Sequence, residues 1–218
     1  MLHKVMTLIA NVGYVLLLIN FLLFIKIVIS KKEKPLRVFL FYLLTIVFIQ
    51  IASEYFHNTG NLFISHYYFI SQTILLSYFY YLIIENDKVK KLIKIIASFT
   101  LISLAFQYFF YPELYDVFNV YEIFICIIPL VIYALSHLFQ TLGNPNKKYI
   151  YITSGVLIYF SPHALVFSSG NLMPDLPGNV NRIIWLINVI LYLVYLILIF
   201  VEWYKHFRKN SVIAHKNN

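Results

Sequence analysis

The sequence predicts an all-α protein that folds as a polytopic membrane bundle of seven transmembrane helices. Three observations predict this fold class. Hydrophobic residues make up 61% of the chain and charged residues only 12%, whereas soluble domains are about half apolar and a quarter charged. Apolar runs long enough to cross a bilayer follow one another along the chain. Basic residues cluster after the first, third, fifth and seventh of these runs.

Each element is predicted from an apolar run, because an α-helix needs about 20 apolar residues to cross the hydrocarbon core. The runs cover approximately residues 6–29, 38–56, 62–84, 92–111, 118–140, 149–169 and 183–204. The first run follows Lys4 as a signal peptide would, but it is too long for one, so we expect it to remain in the mature protein. No linker rich in proline, glycine or serine interrupts the chain, which predicts a single domain over residues 1–218.

The basic residues predict the orientation, because lysine and arginine in short loops stay on the cytoplasmic side. The four basic stretches contain Lys31, Lys32, Lys34 and Arg37; Lys88, Lys90, Lys91 and Lys94; Lys147 and Lys148; and Lys205, Arg208, Lys209 and Lys216. Only Lys4 and Arg182 remain for the other side. We therefore expect the N-terminus outside and the C-terminus in the cytoplasm.

The net charge of +8 is best explained by the lipid bilayer. The basic residues flank apolar spans, where anionic headgroups are the natural counterpart. No basic groove or nucleic-acid-binding motif is visible, so we expect no nucleic-acid partner. The sequence leaves open a separate cytoplasmic or membrane signalling partner and a homo-oligomer.

Polar side chains within the predicted spans concentrate in the outer halves of the helices. Such side chains normally face the interior of a helix bundle, because exposure to hydrocarbon is costly. Gln50, Glu54 and His57 share one helix face by their spacing. A second stripe, in the last span, consists of Trp185, Asn188, Tyr192 and Tyr195. The pattern predicts an outward-facing polar pocket whose candidate residues are Gln50, Glu54, His57, His66, Gln72, Gln107, Glu122, Ser161, His163, Trp185 and Asn188.

Two prolines lie inside predicted spans, and each should free a backbone acceptor because proline has no N–H group. Pro162, in the segment Ser161-Pro162-His163, is expected to free the carbonyl of Ile158. Pro129 is expected to free the carbonyl of Cys126. In a membrane a freed acceptor needs a partner, such as a side chain, water or ligand.

These features favour a sensor or interaction protein, with no catalytic residue, metal site or cofactor assigned. One alternative is an intramembrane lipid-processing hydrolase, because His57, His66 and His163 with Glu54 are residue types that suit zinc. The last span, however, lacks the histidine pair that ceramidase-type enzymes carry there. Another alternative is an ion or proton transporter or a channel subunit using buried carboxylates, although no inverted repeat is evident.

The segments NLFISHYYFISQTILLSYFYYLII (residues 61–84) and ITSGVLIYFSPHALVF (residues 152–167), followed by the last span with Trp185, carry a resemblance. They resemble a group of small, seven-span inner-membrane proteins of the Bacteroidetes. The resemblance implies an inner-membrane protein and no particular activity. Members of this group often carry glutamate near the position of Gln72, so the glutamine here puts an acid–base role at that position in doubt.

Overall fold

The computed structural model describes residues 2–56, 62–142 and 147–208, which form α-helices joined by short connections, with no β-strand among them. The helices are α1 (Leu2–Lys31), α2 (Lys34–Tyr55), α3 (Leu62–Ile83), α4 (Asp87–Phe110), α5 (Val120–Thr141), α6 (Ile150–Ser168) and α7 (Gly178–Glu202). Two 3-10 helices, Pro112–Asp116 and Gly170–Asp175, lie in the connections, and a π-helical turn, Trp203–Phe207, extends α7. The prediction of an all-helical fold is confirmed.

Six of the described helices are long and apolar enough to cross a membrane, and α3 is the long helix outside this group. α3 has 22 residues but a lower hydropathy, because polar side chains such as His66, Gln72 and Thr73 are among its buried residues. It packs against α2, α4 and α5. Protein rather than lipid therefore covers these polar groups, which is the usual position of such residues in membrane bundles.

The helices other than α4 form a closed ring in the order α1, α2, α3, α5, α6 and α7, with α7 packing back on α1. α4 lies outside this ring, where it packs against α3 and α5. Asn20 joins the two terminal helices, because its side-chain amide donates to the carbonyl of Leu196 at 2.9 Å. The ring therefore encloses an interior to which α4 does not contribute a helix face.

Aromatic side chains fill much of the interior of the ring. Tyr42 of α2 and Tyr195 of α7 are both buried, and their hydroxyls are 3.2 Å apart. The rings of Tyr159 and Tyr195 stack with centroids 5.7 Å apart. Gly155 permits this packing, since a Cβ at that position would lie 2.6 Å from the Tyr195 ring. The absence of a side chain on α6 is thus what admits a large one from α7.

Ion pairs join three connections at one end of the bundle, which we call the basic end and where α7 also ends. Lys148 contacts Glu33 at 2.9 Å and Lys147 contacts Glu85 at 2.9 Å. These contacts bring the α1–α2, α3–α4 and α5–α6 connections together. The Lys147 ammonium also lowers the pKa of the exposed Glu85 carboxyl, mainly through their hydrogen bond.

Glu202, at the end of α7, is fully buried at the basic end and caps α6. Its carboxylate accepts hydrogen bonds from the backbone N–H groups of Tyr149 at 2.6 Å and Tyr151 at 2.9 Å. Free N–H groups at a helix N-terminus favour a carboxylate. The backbone of Tyr149 is left-handed, with φ of 70°, which turns the chain into α6. Nδ1 of His206 lies 2.7 Å from Oε1 of the Glu202 carboxylate.

The opposite end, which we call the far end, carries the α4–α5 and α6–α7 connections. Asn171 joins them, because its side-chain amide donates to the carbonyl of Phe118 at 2.8 Å and its Oδ1 accepts from the Phe118 N–H at 2.9 Å. The Phe118 ring also lies directly against the backbone of Gly170, where a Cβ would come within 2.5 Å of it. Hydrogen bonds and packing therefore join the connections at the far end, whereas ion pairs join those at the basic end.

Both prolines lie within continuous helices, and one expectation about them was wrong. The carbonyl four residues before Pro129 belongs to Ile125 rather than Cys126, because the α-helical hydrogen bond spans four residues. The Ile125 carbonyl accepts from the Thr100 hydroxyl of α4 at 3.4 Å. The Thr73 hydroxyl of α3 donates to the Phe69 carbonyl of its own helix at 2.7 Å and lies 3.5 Å from the Cys126 carbonyl. The Thr100 hydroxyl thus provides the donor for the α5 carbonyl that Pro129 leaves free.

Candidate functional site

A cavity of about 340 Å³ lies inside the ring of helices toward the far end. Helices α1, α2, α3, α6 and α7 all contribute to its wall. We call it the aromatic cavity, because seven of its described lining residues are phenylalanine, tyrosine or tryptophan: Tyr14, Tyr68, Phe118, Tyr159, Phe167, Trp185 and Tyr192. Its polar lining residues include Gln50, Ser53, Ser65, His163 and Asn188. No aspartate, glutamate, lysine or arginine is among the described residues of the wall.

His163 is a buried histidine in this wall, with 2% of its surface exposed. Its Nδ1 lies 2.9 Å from Oδ1 of Asn188. An amide oxygen only accepts hydrogen bonds, so this assignment puts the imidazole proton on Nδ1. Nε2 has no hydrogen-bond partner among the described residues. The rings of Phe167 and Tyr159 pack on the imidazole, with centroids 4.3 Å and 4.6 Å away.

A second group of polar side chains, which we call the His66 network, joins α3, α4 and α5. Nδ1 of His66 lies 2.5 Å from Oε2 of Glu122, and both residues are buried. The Tyr108 hydroxyl donates to the same carboxylate oxygen at 2.7 Å. Nε2 of His66 lies 3.2 Å from the carbonyl of Tyr115. The network thus places a histidine and a carboxyl group in direct contact within the bundle.

The proton count of the His66–Glu122 pair follows from its acceptors. A carbonyl oxygen accepts only, so Nε2 of His66 carries a proton. The short contact between Nδ1 and Oε2 requires a second proton between the two groups. Whichever group holds it, imidazole and carboxyl together are electrically neutral. This neutrality explains how a carboxyl group is accommodated at a buried position, where an isolated charge is very costly.

Asn119 extends the His66 network to the start of α5. Its Oδ1 accepts from the N–H of Glu122 at 3.2 Å, which caps the helix. Its amide nitrogen donates to Oε1 of Gln107 at 2.9 Å and lies 3.2 Å from the Tyr108 hydroxyl. Because α4 lies outside the ring, these contacts attach its far end to the rest of the bundle.

The predicted residues therefore fall into two groups rather than one. Gln50, His163, Trp185 and Asn188 line the aromatic cavity. The His66 network contains His66, Gln107 and Glu122. The hydrolase alternative needs His66 and His163 together, and the structure places them in different groups.

The remaining predicted residues belong to neither group. Glu54 and Ser161 are exposed, and the Ser161 hydroxyl donates to the carbonyl of Leu157 at 2.8 Å. Gln72 is fully buried on α3, and neither side-chain atom has a hydrogen-bond partner among the described residues. His57 lies outside the described residues.

Several residues of these two groups were not singled out from the sequence, namely Tyr68, Tyr108, Asn119 and Tyr159. Two local signals point to some of them. Asn119 followed by Glu122 has the spacing of a helix N-cap and its third helical residue. Tyr159 precedes His163 by four residues, which puts both side chains on the same helix face. Tyr68 and Tyr108 carry no comparable signal, since many tyrosines in this chain lie at similar positions.

Comparison of the chain with protein-family models, curated proteins and solved structures finds no match. Among the described residues, no group of three or more histidine, cysteine, aspartate or glutamate side chains is arranged to hold a metal ion. The aromatic cavity and the His66 network are therefore the two features of the described chain that point to a function.

Proposed function

We propose that this protein is a seven-span inner-membrane sensor or interaction protein that binds a small, largely apolar ligand in the aromatic cavity. The observation that carries the proposal is His163, a buried cavity residue with an unpartnered ring nitrogen among the described residues. Ligand sites are typically apolar concavities with a few placed polar groups, and volumes of roughly 300–1,000 Å³ are usual. A cavity of about 340 Å³ with aromatic walls fits this description.

The seven-span count is part of this proposal and has support in the ion pairs. Lys148–Glu33 and Lys147–Glu85 bring the α1–α2 and α3–α4 connections to the same end of the bundle. α2 leaves this end and α3 returns to it, so α3 has to cross as far as α2 does. The positive-inside rule then makes the basic end cytoplasmic and opens the aromatic cavity toward the outside.

The sensor role follows from the position of the aromatic cavity among five helices. A ligand that contacts α1, α2, α3, α6 and α7 together favours the arrangement of helices that fits it best. A change in that arrangement reaches the basic end, where the helices are joined by Glu33, Glu85 and Glu202. The basic end is the surface we propose for contact with anionic lipid or with a separate signalling partner.

Ligand binding is tested by the fluorescence of Trp185, which lines the aromatic cavity. The chain has two tryptophans, so the Trp203→Phe variant leaves Trp185 as the reporter. With the protein in lipid nanodiscs, we expect 4-methoxybiphenyl to change the emission saturably. Val189→Phe, which fills the cavity, should abolish the change. Ile190→Phe, at the neighbouring exposed position, is the matched control and should retain it. A change that never saturates, or that survives Val189→Phe, would contradict ligand binding in the cavity.

Proton movement is a second candidate function, and the interface of α3 and α5 favours it. α3 and α5 carry buried polar residues at successive positions from Glu122 at the far end to His137 near the basic end. Gln72, Ser77 and Tyr133, which lie between them, each carry side-chain atoms without a partner among the described residues. Polar groups buried in this way normally bind ordered water, which is able to relay protons.

Proton movement is tested in liposomes that contain the purified protein and an internal pH dye. Under an imposed membrane potential, we expect proton influx that falls at least tenfold in the Glu122→Gln variant. Glu54→Gln, which changes an exposed carboxylate at the same end, is the matched control. No influx above that of empty liposomes would exclude this function.

A further inference from the structure

We propose that the ligand of the aromatic cavity is an uncharged aromatic molecule of about two rings whose hydroxyl or N–H group donates a hydrogen bond to Nε2 of His163. This inference rests on the proposed ligand-binding function and names the chemical class of the ligand. It is drawn from the hydrogen bonding of His163, the uncharged wall and the cavity volume.

The hydrogen bond between His163 and Asn188 decides which kind of polar group the ligand carries. Oδ1 of Asn188 accepts the Nδ1 proton at 2.9 Å. In the neutral imidazole, Nε2 then carries a lone pair and is an acceptor. Nε2 is buried, with no partner among the described residues. A buried acceptor without a partner is costly, so a ligand that donates a hydrogen bond is favoured over one that only accepts.

The described wall of the aromatic cavity decides the charge of the ligand. It contains no aspartate, glutamate, lysine or arginine to neutralise a charged group. The two carboxylates among the predicted pocket residues do not supply such a group, because Glu54 is exposed and Glu122 is engaged by His66 and Tyr108. Transfer of an unpaired charge from water into such surroundings is very unfavourable. An uncharged ligand is therefore expected.

The walls and volume decide the size and shape of the ligand. Aromatic rings prefer to pack edge-to-face or offset against one another, and the Phe167 and Trp185 rings in the wall are edge-to-face with centroids 5.6 Å apart. The cavity volume of about 340 Å³ is roughly twice that of an engineered cavity of about 150 Å³ that binds benzene. Two rings therefore fit where that smaller cavity holds one.

The experiment compares two biphenyl probes, one with a hydrogen-bond donor and one in which a methyl group replaces the donated proton. 4-Phenylphenol carries a hydroxyl group, and 4-methoxybiphenyl replaces its proton with a methyl group. Affinities are measured by calorimetry with the protein in lipid nanodiscs, with empty nanodiscs as the reference for partition into lipid. We expect 4-phenylphenol to bind at least tenfold more tightly. Biphenyl-4-carboxylate and tetramethylammonium, as charged probes, should not bind.

Variants then show whether His163 produces the difference. His163→Phe should reduce the affinity ratio of the two probes to about one, while Ser161→Ala, at an exposed position on the same helix, should leave the ratio unchanged. If His163→Phe does not fold, Asn188→Leu serves instead, because it removes the group that holds the imidazole proton on Nδ1. Equal binding of both probes by the unchanged protein would overturn the donor inference and leave the cavity proposal standing. Binding of neither probe would overturn both.

Discussion

His66 and Glu122 form a buried pair in which each side chain makes the burial of the other acceptable. Their contact at 2.5 Å lies within the protein, with both residues almost fully covered. Removal of one partner leaves a polar group without its counterpart. Replacement of both side chains by apolar ones leaves no buried polar group unpaired and is therefore less destabilising. The pair is therefore expected to show strong energetic coupling.

We predict that His66→Leu or Glu122→Leu alone lowers the free energy of unfolding by about 3–5 kcal/mol, the usual cost of breaking a buried pair. The double variant should be less destabilised than the sum of the two single variants. A double-mutant cycle from unfolding in detergent micelles measures this difference. Additive effects would show that the two side chains do not act as a pair.

Glu202 offers a second prediction at the scale of one residue. Its buried carboxylate accepts two backbone N–H groups at the start of α6, and hydrogen bonds to charged groups contribute about 1.5–3 kcal/mol. Glu202→Ala should therefore lower the free energy of unfolding by roughly 2–4 kcal/mol, because two donors lose their acceptor. Glu85→Ala, which removes an exposed carboxylate, is the control and should have little effect. Similar losses in both variants would argue against a capping role.

At the scale of the elements, α6 and α7 approach each other through Gly155. A Cβ added to Gly155 would lie 2.6 Å from the Tyr195 ring. Gly13 on α1 is the useful comparison, since its Cβ position is 3.8 Å from the nearest side-chain atoms of α7. Two glycines that face the same helix thus differ in the space beside them.

We predict opposite effects of alanine at these two glycines. Gly155→Ala should lower the free energy of unfolding by about 1–3 kcal/mol, as overpacking does. Gly13→Ala should be neutral or stabilising by up to about 1 kcal/mol, because alanine favours the helix. Thermal unfolding in detergent micelles measures both effects. If Gly13→Ala destabilises the protein as much as Gly155→Ala does, the close approach of α7 is not what distinguishes Gly155.

Across the whole molecule, the basic residues and the aromatic cavity lie at opposite ends of the bundle. The basic end carries Lys147 and Lys148 in ion pairs with acidic residues of other connections. The aromatic cavity lies toward the far end. If the positive-inside rule holds, a reagent outside the cell reaches the far end and not the basic end.

Single cysteines test this orientation, because Cys126 is the only cysteine of the chain. In a Cys126→Ser background, Asp175→Cys places a thiol at an exposed position of the far end, and Asp87→Cys places one at an exposed position of the basic end. We expect a membrane-impermeant maleimide to label Asp175→Cys in intact spheroplasts and Asp87→Cys only after permeabilisation. The reverse pattern would invert the proposed topology.

Some parts of the candidate site were predictable from sequence, and others were not. Depth could be predicted, because apolar run length and basic residues place Gln50, His163 and Asn188 near one end of their helices. Which helix faces meet could not be predicted. Spacing within one helix says nothing about its rotation relative to another, so Glu54 was expected beside Gln50 in a pocket and is instead exposed.

Long apolar helices with basic residues at one end are predictable from the sequence, because helix length and charge placement depend on local composition and on the bilayer. The position of α4 outside the ring and the division of the polar residues into two groups are visible only in the folded protein. The same is true of the capping of α6 by Glu202 from the end of α7. These features depend on contacts between distant segments, such as Tyr149 with Glu202 and His66 with Glu122. Packing selects such contacts by shape and hydrogen bonding, and no local pattern encodes them.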